Sequence, residues 1–275
     1  MIAITQLRLP AVSPDGMRAL ELLNQDEPDI QTLIKCILRD SVSALALIKY
    51  ANSPLFRRAT PIDTVHGAIR VLGLRNVRSA LLVATIRGLA EDLPKNCRII
   101  AQHCTDCAFL AARLAQNIQP GIVDEMAFLG LIHDMGMLIL ASNFPDDYSR
   151  IMDRSVSEGE IIGDLEEAEF SLRHDDIIER IFKDFRLPTE QIDLLSSYHR
   201  EICLPDDDPQ LIRRMILDLA HALWIDSLGE KAFHEVIGDQ SVEELTARLG
   251  IVPSDLATIK EELEGLDPSS RQSEK

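Results

Sequence analysis

The sequence predicts an all-α fold. Apolar residues recur at three- and four-residue steps almost throughout the 275 residues, which is the period of a helix with one buried face. Alternating β-branched runs are few, so strand content should be near zero. Proline and glycine punctuation cuts the chain into pieces of ordinary helix length.

In chain order, breaks fall at Pro10 to Pro14, Asp26 to Pro28, Pro54 to Pro61 and Gly73, giving short helices at similar spacing in the first third. Asn52, Ser53 and Pro54 form a helix stop there. Pro54 biases Ser53 out of the α region and Asn52 can take the left-handed conformation that ends a helix, so a capping turn explains the three. The stretch Glu91 to Lys95 separates a part with no ionisable cluster from a part holding every histidine of interest except His66. We place a boundary there, between a first lobe (1–93) and a second (94–266) packed on it.

The second lobe opens with Arg98 to Ile118, whose inward stripe runs through Ile100, Cys104, Cys107, Ala111, Leu114, Ala115 and Ile118, with His103 at its border. Pro120 and Gly121 precede an apolar, helix-length stretch from Met126 to Leu140 that contains an adjacent His133 and Asp134. After Pro145 and Gly159, His174 opens a segment whose stripe continues through Ile177, Ile178, Ile181, Phe182 and Phe185, where the dipole of a helix N-terminus favours a neutral imidazole. His199 follows Ile192 and Leu195 at helical steps after Pro188. Met215 to Ile225 carries His221, with Asp218 one turn earlier. Further breaks at Pro205 to Pro209, Gly238 and Pro253 complete the pattern, and the polar stretch 267–275 should be a disordered tail.

Composition narrows the function. Lysine and arginine total 28 against 45 aspartates and glutamates, a net charge of −17 that repels polyanions and argues against direct binding of DNA or RNA. Arg57, Arg58, Arg70, Arg75 and Arg78 leave room for a local anion site in the first third. The N-terminus lacks a basic start followed by an apolar core, and no apolar run approaches the roughly 18 residues that span a bilayer, so a cytoplasmic location off the membrane is expected. Five cysteines, an odd set, fit free thiols. Cys104 and Cys107 read as packing, since no second C-x-x-C accompanies them.

Burying an ionised Asp134 costs several kcal/mol unless it is paired or bound to a metal. The chain must therefore supply a partner. His103, His174, His199 and His221 each lie on an apolar face of a separate segment, and imidazole with carboxylate is a ligand set that divalent metals accept. These groups and His133 are expected to share one polar pocket, stabilised by a metal, an anion or reciprocal hydrogen bonds. His66 and His234 fall outside the pattern.

At these residues the chain resembles the HD superfamily of metal-dependent phosphohydrolases, and more specifically its HD-related output domain, HDOD. The resemblance is carried by Leu9 and Pro10, Leu45 to Tyr50 with Ala51 to Pro54, Ile62, Ala68, Ile69, Leu72, Gly73 and Val77, then His103 with Ala108, the run Gly130 to Gly136, His174, and Leu187 and Pro188 leading to His199. It covers roughly residues 7–229. The resemblance implies an HD-like multi-helix core in the second lobe and a divalent metal held by His103, His133, Asp134 and either His221 or Asp218. It does not distinguish Fe, Mn, Mg, Zn or Ni. His174 and His199 would line the pocket.

Departures from the hydrolase pattern weigh against catalysis. Met137 stands where HD-GYP phosphodiesterases commonly carry lysine, Leu219-Ala220-His221 replaces a Leu-Ala-Asp pattern, Arg200 follows His199 where a second histidine is frequent, and no Gly-Tyr-Pro element follows. Phosphoester hydrolysis needs charge stabilisation on the phosphoryl oxygens, for which this pocket has little cationic help. The expectation is a stand-alone signalling module of bacterial type, non-catalytic, which binds a protein partner or a small anionic signal. The alternative is a metal-dependent phosphohydrolase acting on a nucleotide or cyclic dinucleotide.

Overall fold

The computed structural model describes residues 7, 13–23, 25, 27–52, 60–91, 93–184, 187–200, 204–229, 232–235 and 240–265. Ser53, Pro54, Arg57, Arg58, Phe185, Gly238 and the expected tail, 267–275, lie outside them. Among the described residues the fold is helical: α1 Pro14–Leu23, α2 Ile30–Arg39, α3 Ser41–Ala51, α4 Val65–Glu91, α5 Arg98–Ile118, α6 Val123–Ile132, α7 Met135–Asn143, α8 Pro145–Glu158, α9 Ile162–Phe170, α10 His174–Asp184, α11 Thr189–Ser196, α12 Leu211–Leu228, α13 Val242–Leu249 and α14 Pro253–Gly265. Extended pairing is limited there to one isolated parallel bridge between Ile161 and His234.

Local chemistry sets the first helices. Asp29 caps α2 by accepting from the Gln31 and Thr32 amides, and Asp40 caps α3 by accepting from the Val42 amide. The Asp40 carboxylate also accepts from Ser13 (2.9 Å) and Ser43 (2.6 Å), which joins the start of α1 to α3. Such caps satisfy amides that a helix start leaves without partners. Asn52 does not take the expected left-handed conformation; its φ is −98°. It works through its side chain instead, donating to the carbonyls of Ile48 (2.8 Å) and Ile62 (2.7 Å) and accepting from the Ile62 amide (2.8 Å). Helix α4 is interrupted at Gly73, the expected break, where φ is 70° and ψ 165°. Beyond it Arg78 donates to the Leu23 carbonyl, tying α4 to α1.

Helix α5 is the central strut. Its stripe of Ile100, Cys104, Cys107, Leu110, Ala111, Leu114 and Ala115 is buried, and it packs on α6, α12 and α14. Two guanidinium forks fasten this layer: Arg113 on Glu262 (2.6 and 3.0 Å) and Arg213 on Glu125 (2.9 and 2.8 Å). Such bidentate pairs fix geometry as well as adding energy. The second-lobe boundary expected at Glu91 to Lys95 falls in the connection from α4 to α5, and α4 packs on α5, α6 and α7 as well as on α3.

The apolar stretch Met126 to Leu140 is not one helix. It breaks at His133 and Asp134, where Asp134 has φ −109° and ψ 21°. Adjacent residues on a continuous helix diverge by about 100°, so the break is what lets both side chains enter one cavity. Gly130 and Gly136 flank it at close approaches. A Cβ on Gly130 would lie 2.6 Å from the Cys107 carbonyl oxygen, and one on Gly136 would lie 2.3 Å from that of His174. The two glycines thus let α6 touch the backbone of α5 and α7 touch the first residue of α10.

Candidate metal centre

The broken motif delivers Asp134 to the middle of an imidazole cluster. Its Oδ2 lies 2.8 Å from His103 Nε2 and 3.1 Å from His133 Nε2, and its Oδ1 lies 2.9 Å from His199 Nε2. His103 and His133 themselves approach Nε2 to Nε2 at 2.9 Å. His103 comes from α5, His133 and Asp134 from the α6–α7 break, and His199 from the turn after α11. The ring of His221 on α12 lies tilted 4.6 Å from that of His103, and the ring of His174 meets that of His199 edge-on at 5.0 Å. The five histidines and the acid that the sequence singled out are together in one buried cluster.

Asp218, the alternative last ligand, is not among them. Its carboxylate faces Arg214 on the same helix, with Nε 3.2 and 3.3 Å from its two oxygens. The carboxylate that approaches His221 is Glu235 instead, at 3.5 Å. Glu235 also lies 3.6 Å from His174 and 3.9 Å from His199. His66 and His234 are exposed, as expected of residues outside the pattern.

Three overlapping groupings of ligand-capable atoms result among the described residues. One contains His103 and His133, with Cys107 or Asp134 beside them, another Asp134, His174, His199 and Glu235, and the third His103, His221 and Glu235. The Cys104 and Cys107 thiols are buried and their pKa values are pushed well up by that burial, so they stay protonated and pack, with Cys107 Sγ 3.5 Å from His103 Nδ1.

The donor chemistry fits a cation. His133 Nδ1 lies 2.8 Å from the Gly130 carbonyl and donates to it, so the neutral ring presents its Nε2 lone pair to His103 and Asp134. Among the described residues Asp134 Oδ2 has no hydrogen bond of acceptable geometry despite its short contacts, and both Glu235 oxygens, His174 Nε2 and both His221 nitrogens likewise lack one. With the His103, His133 and His221 rings neutral, the lone pairs that converge here repel unless a positive ion sits among them.

Electrostatics sorts the histidines into two kinds. Burial lowers the pKa of His103 to about 4 and that of His221 well below the ordinary imidazole value, so both are neutral and ligand-competent. His174 is the reverse of the sequence expectation. Burial opposes its charge, but the carboxylates of Glu166 and Asp175, then that of Glu235, outweigh both burial and the helix dipole and raise its pKa well above the ordinary value. Burial and then Asp134 push the Glu235 carboxyl well up.

Glu166, Asp175 and Glu235 were missed by the sequence reading. Glu166 hides in an acidic run on α9, yet it anchors a buried chain: Tyr148 donates to its Oε1 (2.5 Å), and the ring Nδ1 (2.6 Å) and amide (2.9 Å) of His174 bond its Oε2. Carboxylates placed behind metal-facing histidines fix the ring and raise its basicity. Asp175 had a legible signal, since His174-Asp175 is a second His-Asp pair. Substituting Glu166 with glutamine is expected to lower divalent-ion affinity about 10–100-fold with the helical content unchanged, measured by competition with a chromogenic chelator. An unchanged affinity would show that Glu166 does not position His174.

An all-helical protein organised round a buried His-Asp constellation is the class that fold and site define. The chain belongs to the HDOD domain family, whose sequence pattern matches residues 9–201; that match stops short of the 229 expected, and of His221 and Glu235. In structure it is similar to an HDOD domain protein of unknown function from Geobacter sulfurreducens, at 20% identity and TM-score 0.69, covering 96% of each chain. A candidate phosphohydrolase from Shewanella amazonensis SB2B matches at 16% identity and TM-score 0.63, over 94% of this chain and 90% of that one. A candidate signal transduction protein from Marinobacter aquaeolei VT8 matches at 18% and 0.61, over 95% of this chain but 60% of its own. No protein of curated function matches in sequence. Among the described residues no helix is long and apolar enough to cross a membrane.

Proposed function

We propose that this chain is a regulatory signalling module whose histidine centre holds a divalent cation without turning over a substrate. The observation that carries the reading is closure. His103, Asp134, His174 and His221 are 0% exposed, His133 and His199 1%, and Glu235 7%. Sites that hydrolyse keep an open ligand position, whereas closed sites hold structure. His103, His133 and Asp134 would hold the ion on one side, and His174, His199, His221 and Glu235 are placed to complete its surroundings. When bound, the ion supplies the positive charge that the buried carboxylates lack. An imidazole-rich set suits zinc, iron, nickel or copper better than magnesium.

This chain's own residues orient the site and keep it dry. Gly130 fixes His133 through its carbonyl, Glu166 fixes His174, and Met137, where a phosphate-steadying lysine is found in the HD-GYP group, is fully buried. The partner on this reading is another protein or a small anionic signal, reached through the helical surface. A net charge of −17 disfavours nucleic acid.

One observation favours the second reading, hydrolysis of a nucleotide or cyclic dinucleotide. Asp134 turns its two oxygens toward different histidines, so it would offer ligand atoms to more than one ion of the kind that supplies phosphoester hydrolysis with a nucleophile and charge stabilisation. Metal analysis of chelator-free protein, paired with turnover of bis(p-nitrophenyl) phosphate and cyclic dinucleotides, separates the two. Stoichiometric metal with no turnover is expected. Turnover that disappears in Asp134→Asn would establish the hydrolase.

A further inference from the structure

We propose that Glu235 is a ligand carried on a strap, so that a bound divalent cation latches residues 232–235 onto the core and loss of the cation releases them. The inference rests on the metal-centre reading and adds regulation to it. The family match ends at residue 201, so the last carboxylate of the site is delivered by a segment outside the matched domain.

The strap is an extended piece, not a helix, and its fastenings within the described residues are few. The carbonyl of His234 accepts from the Ile162 amide at the start of α9 (2.8 Å), and its amide donates to Ser155 Oγ on α8 (2.8 Å). Phe233 is fully buried, 5.0 Å ring to ring from Trp224 and 5.1 Å from His103. The next residue inserts a carboxylate into the cavity.

Among the described residues, only long imidazole contacts face that carboxylate. Neither oxygen has a hydrogen-bond partner among the described residues, and the imidazoles of His221, His174 and His199 stand 3.5, 3.6 and 3.9 Å away. Those distances are too long for hydrogen bonds. Three rings, from α12, α10 and the turn after α11, nevertheless point at it. In the same cavity Asp134 adds negative charge. A buried acid that accepts no hydrogen bond favours the open state of the element that carries it. A cation among the rings reverses the preference: it attracts Glu235, and by linkage a closed strap tightens ion binding by the same factor that the ion favours closure. The strap thereby converts occupancy of a sealed site into a change at the surface, where the side chain of His234 is already exposed.

The test is hydrogen exchange of the strap amides, 232–235, in the full chain, stripped with chelator or loaded with Ni²⁺. Occupancy is read independently by quenching of Trp224, the sole tryptophan, whose ring centroid lies 4.1 Å from that of His103. In the wild type, Ni²⁺ is expected to slow strap exchange at least about tenfold, equivalent to about 1.4 kcal/mol of linkage. In Glu235→Gln, which keeps size and removes the ligand charge, Ni²⁺ should still quench Trp224 at higher concentration while strap exchange no longer responds. Quenching in the wild type with unchanged strap exchange would overturn the latch and leave the centre intact, as would metal-dependent protection that survives in Glu235→Gln. Absence of quenching and of retained metal would overturn both.

Discussion

Replacing Asp134 with alanine is expected to destabilise the protein by about 3–5 kcal/mol at neutral pH and to reduce retained metal to background. The two oxygens of this buried carboxylate face imidazoles at short distance, one His103 and His133 and the other His199, so its removal leaves three imidazoles facing an empty volume. Burial alone would raise the Asp134 pKa, but the neighbouring His133 and His199, with the contact to His103, hold it well below the usual carboxylate range. A depressed folded pKa means that the contribution is present above the unfolded value of about 3.9 and is lost as pH falls through the folded one. The gap between wild type and Asp134→Ala should therefore be widest near neutrality and narrow in acid. Urea denaturation of metal-free protein across that range measures it. A gap below about 1 kcal/mol at pH 7 would show that the acid is not integral to the cluster.

The second large effect is expected at Gly136. A methyl group there would fall 2.3 Å from the backbone oxygen of His174, and a backbone atom cannot rotate away as a side chain can. Helix α10 must move as a body. Overpacking of this kind costs about 1–3 kcal/mol or more, and the same displacement draws His174 away from Glu166 and from the cavity. Gly136→Ala should accordingly lower the melting temperature and weaken metal binding together. Gly121, whose added methyl would meet nothing within 4 Å, provides the control, and alanine there should change neither. Equal behaviour of the two variants would mean that α7 and α10 do not need this contact.

The fold was legible because helix periodicity and punctuation are local signals, and so was the inward direction of the five histidines. What the sequence could not supply was set by contacts between distant segments. Met126 to Leu140 reads as one apolar run, since every residue in it is buried whichever way the backbone turns; the break at Asp134 shows only in the two glycines, whose role depends on Cys107 and His174 across the interface. His174 looked neutral from its place at a helix start, but Glu166 and Asp175 decide its charge. Asp218 was a fair candidate by spacing, and Arg214 one turn away on the same face was available as the reason to discount it. Glu235 has no periodic context at all. Its place in the cavity depends on the Ile161–His234 bridge, which no local pattern announces.

The central claim, that these buried groups form one histidine-rich cation centre, is tested most directly by X-ray absorption at the metal edge of the loaded protein. The account predicts a first shell of nitrogen and oxygen with outer-shell scattering from at least three imidazoles, reduced in His103→Ala. A shell of oxygen alone, or a spectrum identical in that variant, would place the ion elsewhere and contradict it.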